Sequence, residues 1–461
     1  MKGQKPAREI FEDGRAENGQ RILSTEVTKM QKGWKRIGLP VVSLGLAMML
    51  VASAYIPQVA KATPGEEKVV KVGLHMILSG AAADVGRAQR IWTAYLKYIN
   101  DQGGLNGVKL EPVWRDVGRA PVPQGIIAHK RFKEAGAVVE LSVGQAAEEV
   151  LTPNLQRDEI PMVGSYGSAL KLTKPMWHFN LWPSTRDLGA VAAEWLKDTW
   201  TKERVPRVGC FFWDNSAGWE DMEGIKWAAE KYGWEFVGYE VTPLLGTIDT
   251  TTEWLRLAGK KPDFIHTAWC AATQVVAFKD AVRLEIQKKG IILFDGGQCV
   301  DLILPIVKAD LDGWYHTRWS CLVTDTDVPE IRVVREVAKK YCGWDTEEKI
   351  LENVSSGSTV GIGWAIVKVA VEGIRLAIEK VGYENLTGRT VRDALASMRD
   401  FDLGLAPPGL PPQLVTMTDE EPFIFRGALV YRFEGTTPQR ISDKYYSVPN
   451  AWLPQWLTEV R

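Results

Sequence analysis

The chain of 461 residues is 45% hydrophobic and 25% charged, the balance of a globular protein long enough for two or three domains. A formal net charge of −1 leaves no electrostatic footprint for nucleic acid, so that class of partner is excluded from the reading. No CxxC pair occurs and the five histidines show no metal-ligand spacing, which argues against a structural zinc site; no metal and no cofactor are expected.

The N-terminal segment reads as a targeting sequence. Lys29, Lys32, Lys35 and Arg36 precede an uncharged, mostly apolar run from Ile37 to Ile56, and Ala60-Lys61-Ala62 offers the small-x-small pattern of a signal-peptidase site. Pro40 and Pro57 interrupt the apolar stretch, which weighs against a permanent membrane helix. No cysteine lies near the cleavage region, which weighs against a lipid anchor. Residues 1–29 are an odd, polar prelude to such a signal. They are read as a non-native extension, with residues 30–62 as the signal and Thr63 as the mature start.

Strands and helices then alternate. The apolar run Val69 to Leu78 reads as a strand ending at Ser79-Gly80. Ile91, Tyr95, Tyr98 and Ile99 recur at helical spacing between Gly86 and Gln102. Gly103-Gly104 stops that helix, and Asn106-Gly107 turns the chain into a strand from Val108 to Trp114. This is one βαβ unit, whose loop after the first strand falls where open α/β sheets place ligands.

A helix near Pro123 to Ala135, a strand Ala137 to Val143, a helix Ala146 to Gln156 and a strand Ile160 to Gly164 follow. A second series places strands at Val208–Trp213, Glu235–Val241, Phe264–Trp269 and Ile291–Phe294, with helices between them. Beyond Gly313 come a strand-like run, Trp314 to Leu322, and helices near Pro329–Tyr341, Gly357–Val381 and Thr390–Met398. A Pro/Gly-rich loop, Leu403 to Pro412, leads to edge strands near Phe423–Phe433. The pattern predicts an α/β fold of mainly parallel sheets covered by helices on both faces.

Cysteines 210, 270, 299, 321 and 342 are odd in number, so an exported chain keeps at least one unpaired in itself; Cys321 and Cys342 are a candidate pair. Most of the 19 tryptophans are expected in cores and between domains, with a few presenting flat faces to a ligand.

This order resembles the type I periplasmic solute-binding proteins of ABC transporters, the branched-chain amino-acid-binding family. Leu78-Ser79-Gly80, Gly86 and the run from Asn100 through Gly103-Gly104-Leu105 to Gly107 match its opening strand, loop and helix-closing turn. Ile160-Pro161-Met162 with the small-residue loop Ser165 to Ala169 matches its "IPM" strand. Trp182-Pro183-Ser184-Thr185-Arg186-Asp187-Leu188-Gly189 matches its crossover between lobes.

The resemblance implies a two-lobed fold with a hinge. Lobe one would comprise residues 63–184 and 315–408; lobe two, residues 185–314 and 409–461. It implies an exported protein that captures a small polar or amino-acid-like ligand and delivers it to the membrane subunits of an ABC permease. A ligand sensor acting on a membrane receptor is the alternative.

By position in the family's loops, the ligand site is expected at Gln145 and Ala146, where a helix N-terminus could hold a ligand carboxylate. It would continue through Tyr166, Gly167 and Ser168, the last as a hydroxyl contact. Trp219 and Trp269 would supply aromatic walls, and Asp295 a partner for a ligand ammonium. Where the family carries hydroxyl residues and a Tyr-Gly pair, this chain has Gln145-Ala146 and Ala217-Gly218, a departure from a zwitterion-binding pattern. Cys270, His266 and Asp295 are the residue types of a nucleophile, base and orienter, but their small apolar neighbours suit packing and no catalysis is expected. His75 is read as a satisfied core or rim histidine.

Overall fold

The computed structural model describes residues 67–447, apart from 81–82, 84, 119–120, 166–173, 244–245, 270, 298–306, 308–310, 355–358, 420–424 and 426. The N-terminal targeting segment, Tyr166–Ser168, Cys270 and Cys299 lie outside the described residues.

The first half builds β1 (Val69–Met76), α1 (Val85–Asp101), β2 (Lys109–Asp116), α2 (Pro121–Ala135), β3 (Ala137–Leu141), α3 (Gln145–Asp158), β4 (Met162–Gly164) and β5 (His178–Asn180). The strands form a wholly parallel sheet in the order β2-β1-β3-β4-β5. The apolar face of α1 is buried through Ile91, Trp92, Tyr95 and Leu96. Gly103 and Gly104 adopt φ of 100° and 74°, a region in which a side chain would be strained, and there the helix ends. Asn100 then secures the second strand: its Nδ2 donates to Leu110 O and its Oδ1 accepts from Leu110 N, both at 2.8 Å.

The edge strand β2 contains Pro112, and the ladder explains why it is tolerated. Lys109 N donates to Lys68 O (2.8 Å) and Val117 N to Met76 O (2.7 Å), so odd-numbered backbone groups face β1. Pro112 falls on the outward side, where a missing N–H costs no ladder bond and blunts the open edge.

The second half repeats the plan with α4 (Thr185–Thr199), β6 (Arg207–Trp213), α5 (Ser216–Tyr232), β7 (Glu235–Thr242), α6 (Thr251–Gly259), β8 (Phe264–Ala268), α7 (Ala271–Arg283), β9 (Ile292–Asp295) and β10 (Tyr315–Arg318). Its parallel strands run β7-β6-β8-β9-β10, the same order as the first sheet. The chain then returns through α8 (Pro329–Cys342), α9 (Glu347–Val354), a π-helical turn (Thr359–Ala365), α10 (Ile366–Val381) and α11 (Gly388–Ala396). Of these, α8 packs on α1, while α10 and α11 pack on β3 of the first sheet. After the short pair β11 (Phe401–Asp402) and β12 (Leu414–Val415), β13 (Gly427–Glu434) joins the second sheet antiparallel to β10. It is extended by β14 (Thr437–Arg440) and β15 (Tyr446–Ser447).

This pairing shifts the lobe boundaries drawn from sequence. Tyr315–Arg318, assigned above to the first lobe, is a strand of the second sheet, so that crossing begins at Trp319. Residues 409–419 stay with the first lobe, since Met176 N donates to Asp419 Oδ1 at 2.8 Å and Met417 N to Met398 O at 3.0 Å. The crossings run together: Trp182 and Trp319 lie 6.4 Å apart between ring centroids, and Phe425 stacks on Trp319 at 5.1 Å. Both tryptophans are buried, as are Trp92, Trp254, Trp269, Trp314 and Trp364, so much of the unusual tryptophan content is core. Cys321 and Cys342 are free thiols rather than a pair; burial pushes Cys342 up to about 12.

Candidate ligand cleft

In a sheet of order 2-1-3-4-5 the crevice opens where the strand order reverses, beyond the carboxyl ends of the strands. Here those points lie after β1 and β3 in the first sheet and after β6 and β8 in the second. One hydrogen bond shows that they face each other: Ser216 Oγ, just past β6, donates to Glu149 Oε1 near the start of α3 at 3.1 Å. The two switch points therefore share one cleft, closed to hydrogen-bonding distance at this position.

The loop after β1 is held by its own polar groups. Gln89, buried on α1, accepts from Ile77 N (2.6 Å) and donates to His75 O (2.7 Å). Asp116 Oδ1 accepts from Leu78 N (2.9 Å) and Gly118 N (3.0 Å). Burial opposes the ionisation of Asp116, but these bonds and those from Ser79 outweigh it and hold its carboxyl below the usual range. Gly86 lets α1 start here, since a Cβ would overlap the Ile77 carbonyl oxygen.

Gln145 and Ala146 open α3, behind Gly144, which provides no side-chain cap. That helix N-terminus already carries its own anions. Glu148, fully buried, occupies the first turn, and its Oε2 lies 3.3 Å from His178 Nε2; Glu149 follows it. A ligand carboxylate placed there would meet a buried carboxylate that already answers the helix dipole, so the geometry does not favour the anion-docking expectation for this loop.

On the second lobe, Asn215 caps α5 by accepting from Gly218 N at 2.8 Å. Trp219 is 36% exposed, donates from Nε1 to Asp214 Oδ1 (2.8 Å), and packs against Phe212 and Tyr239 at 5.1 and 5.4 Å between centroids. Its exposed face leaves it open to the aromatic role expected of it. Trp269 has no such face: it is 1% exposed, packed against Phe211 at 4.6 Å, with Nε1 donating to Thr242 Oγ1 at 3.2 Å. Asp295 is also displaced from the expected role. It is fully buried, with Oδ1 accepting from Thr267 and Gln274, both at 3.1 Å, and Oδ2 3.0 Å from His316 Nδ1. Its oxygens serve this network and leave no open side for an ammonium.

His266 pairs with Asp221 at 2.9 Å, not with Asp295, so the nucleophile–base–orienter arrangement is not assembled. Burial raises the Asp221 carboxyl above its ordinary range, partly offset by His266. Every histidine of the chain is in fact buried beside a carboxylate: His75 and His129 on Glu140, His178 by Glu148, His266 by Asp221 and His316 by Asp295. Sequence reading found His75 as a core histidine but missed its partners, because none of them is near it in the chain. Among the described residues no cluster of histidine, cysteine or carboxylate could hold a metal ion.

The comparisons agree with this geometry. A sequence model of the periplasmic binding protein family matches residues 69–418, and the chain belongs to that family. Among solved structures it is similar to a branched-chain amino acid ABC transporter protein from Thermus thermophilus with bound valine: TM-score 0.68, 19% identity, 86% of this chain and 99% of that one. It is also similar to a fatty acid ABC transporter substrate-binding protein from Thermomonospora curvata, with TM-score 0.67, 17% identity and coverage of 85% and 95%. A Rhodopseudomonas palustris solute-binding protein in complex with benzoate gives TM-score 0.64, 17% identity and coverage of 82% and 96%. A search of curated protein sequences finds no match. At these identities the structural likeness establishes the two-lobed α/β fold.

Proposed function

We propose that this chain is an exported solute-binding protein of an ABC uptake system, taking a small polar ligand between its lobes and presenting the closed form to a permease. The observation that carries the reading is the Ser216–Glu149 hydrogen bond, which sets the switch points of two like-ordered parallel sheets against each other. A ligand stabilises the closed form only through contacts it makes there and not in the open form. Trp219 is the aromatic wall, Ser216 and Glu149 the facing polar contacts, and residues 30–62 the export signal.

The test is to purify the protein from its native envelope, denature it and identify by mass spectrometry what is released. A small molecule that rebinds the refolded protein one-to-one in calorimetry, unchanged by incubation, is the expected result. Valine, benzoate and a fatty acid, the ligand types named for the similar structures, are the comparison set. Recovery of no small molecule, or chemical turnover of a bound one, would overturn the reading.

A further inference from the structure

The last residues of β4 and β5 lie side by side at the cleft end of the first sheet, Gly164 opposite Asn180, and the chain leaves β4 through Ser165. Asn180 and Ser165 are both fully buried. Among the described residues, the Asn180 Oδ1 and Nδ2 and the Ser165 Oγ have no hydrogen-bond partner. A buried polar group left in that condition costs on the order of 1–3 kcal/mol, so three such atoms at adjacent strand ends call for a partner that the described residues do not supply.

The surroundings select its chemistry. A Cβ on Gly164 would overlap His178 Nε2 and lie 3.1 Å from Glu148 Oε2, so the Glu148–His178 pair fills the space above Gly164, next to Asn180 in register. A carboxylate, an imidazole and a carboxamide thus share one face at the ends of β4 and β5, with the Ser165 hydroxyl on the next residue of the chain and no lysine or arginine in the set. A ligand carboxylate here would be set against Glu148. An uncharged group that both donates and accepts can instead pair twice with Asn180, its N–H to Oδ1 and its C=O to Nδ2.

Building on the solute-binding reading above, we infer that this end of the first sheet recognises an uncharged carboxamide or ureido group of the solute. Asn180 reads the group and Ser165 is its second contact.

The experiment compares propionamide and benzamide with propionate and benzoate, by thermal shift and calorimetry, on wild type and Asn180→Leu. Leucine removes two unpartnered polar atoms at similar volume, so the ligand-free variant should melt no lower than wild type. The amides should bind wild type in preference to the matching carboxylates, and Asn180→Leu should weaken them at least tenfold. Asn180→Asp, which keeps the shape but loses the donor, should weaken them as well. Carboxylates binding as well as amides, or an unchanged dissociation constant in Asn180→Leu, would overturn the inference. So would a native solute that carries neither group, and that result would leave the solute-binding reading standing. If neither probes nor any native solute bind, both fall.

Discussion

His129 shows how single side chains set the protein's response to pH. Its Nδ1 lies 2.7 Å from Glu140 Oε1 and its Nε2 3.0 Å from Asp158 Oδ2; Glu140 Oε2 in turn lies 2.7 Å from His75 Nε2. Lys133 and Arg157 reach Asp158 from the surface at 2.8 and 2.7 Å. Burial pushes His129 towards its neutral form, but Glu140 and Asp158 outweigh that and raise it above 6.5. Burial likewise opposes ionised Glu140, yet the two histidines hold it below 4.5, and Arg157, with Lys133 and His129, holds Asp158 below 3.8. The signs follow by linkage. The His129 contribution is complete below its ordinary value of 6.5 and fades as pH rises through the raised folded value. The carboxylate contributions are complete above 4.5 and fade as pH falls through the lowered folded values. All three therefore act together between pH 4.5 and 6.5. His129→Gln should cost about 2 kcal/mol within that window, and the gap from wild type should narrow in alkali. Urea-denaturation midpoints across pH measure this; a gap that widens above neutrality would contradict it. None of this chain of contacts was legible beforehand, because Glu140 and Asp158 stand 11 and 29 residues from His129 with no pattern to join them.

At the scale of elements, the opening strand, loop and helix carry the most local information, and their expected bounds lie within two residues of Val69–Met76, Val85–Asp101 and Lys109–Asp116. The glycines do different things there. Gly103 and Gly104 supply backbone angles, whereas Gly86 supplies clearance beneath the Ile77 carbonyl. Gly86→Ala must push β1 and α1 apart at a backbone contact that has no rotamer to relieve it. Overpacking of that kind costs about 2 kcal/mol and should also disturb the Ile77–Gln89 bond; urea denaturation together with amide exchange at Ile77 would show both. A stability equal to wild type would mean that the loop has slack the structure does not show. The short strand β5 escaped notice because three residues, His178–Asn180, are too few to show a period. The expected anion site at α3 is disfavoured for an element-level reason: helix N-termini in general favour anions, but this one already holds the buried Glu148 in its first turn.

For the molecule as a whole, the closed arrangement rests in part on Ser216 and Glu149, which meet across the cleft. Ser216→Ala removes that bond, worth about 1 kcal/mol, and should shift the open-to-closed balance about fivefold towards open. The expected observation is a larger radius of gyration by small-angle scattering without ligand and a contraction restored by saturating solute. Identical profiles for variant and wild type would show that closure rests elsewhere. Sequence by itself determined the α/β class, the alternation of elements and the family, because periodicity, glycine turns and short motifs are written in neighbouring residues. The tertiary structure alone decided that both sheets share one strand order, that Tyr315–Arg318 belongs to the second, and that their switch points face each other. It also decided that Trp269 and Asp295 are interior groups while Trp219 stays partly exposed, and that Asn180 has no hydrogen-bond partner among the described residues. Burial and hydrogen-bond satisfaction are set by residues distant in the chain, and so become visible only once the chain has folded.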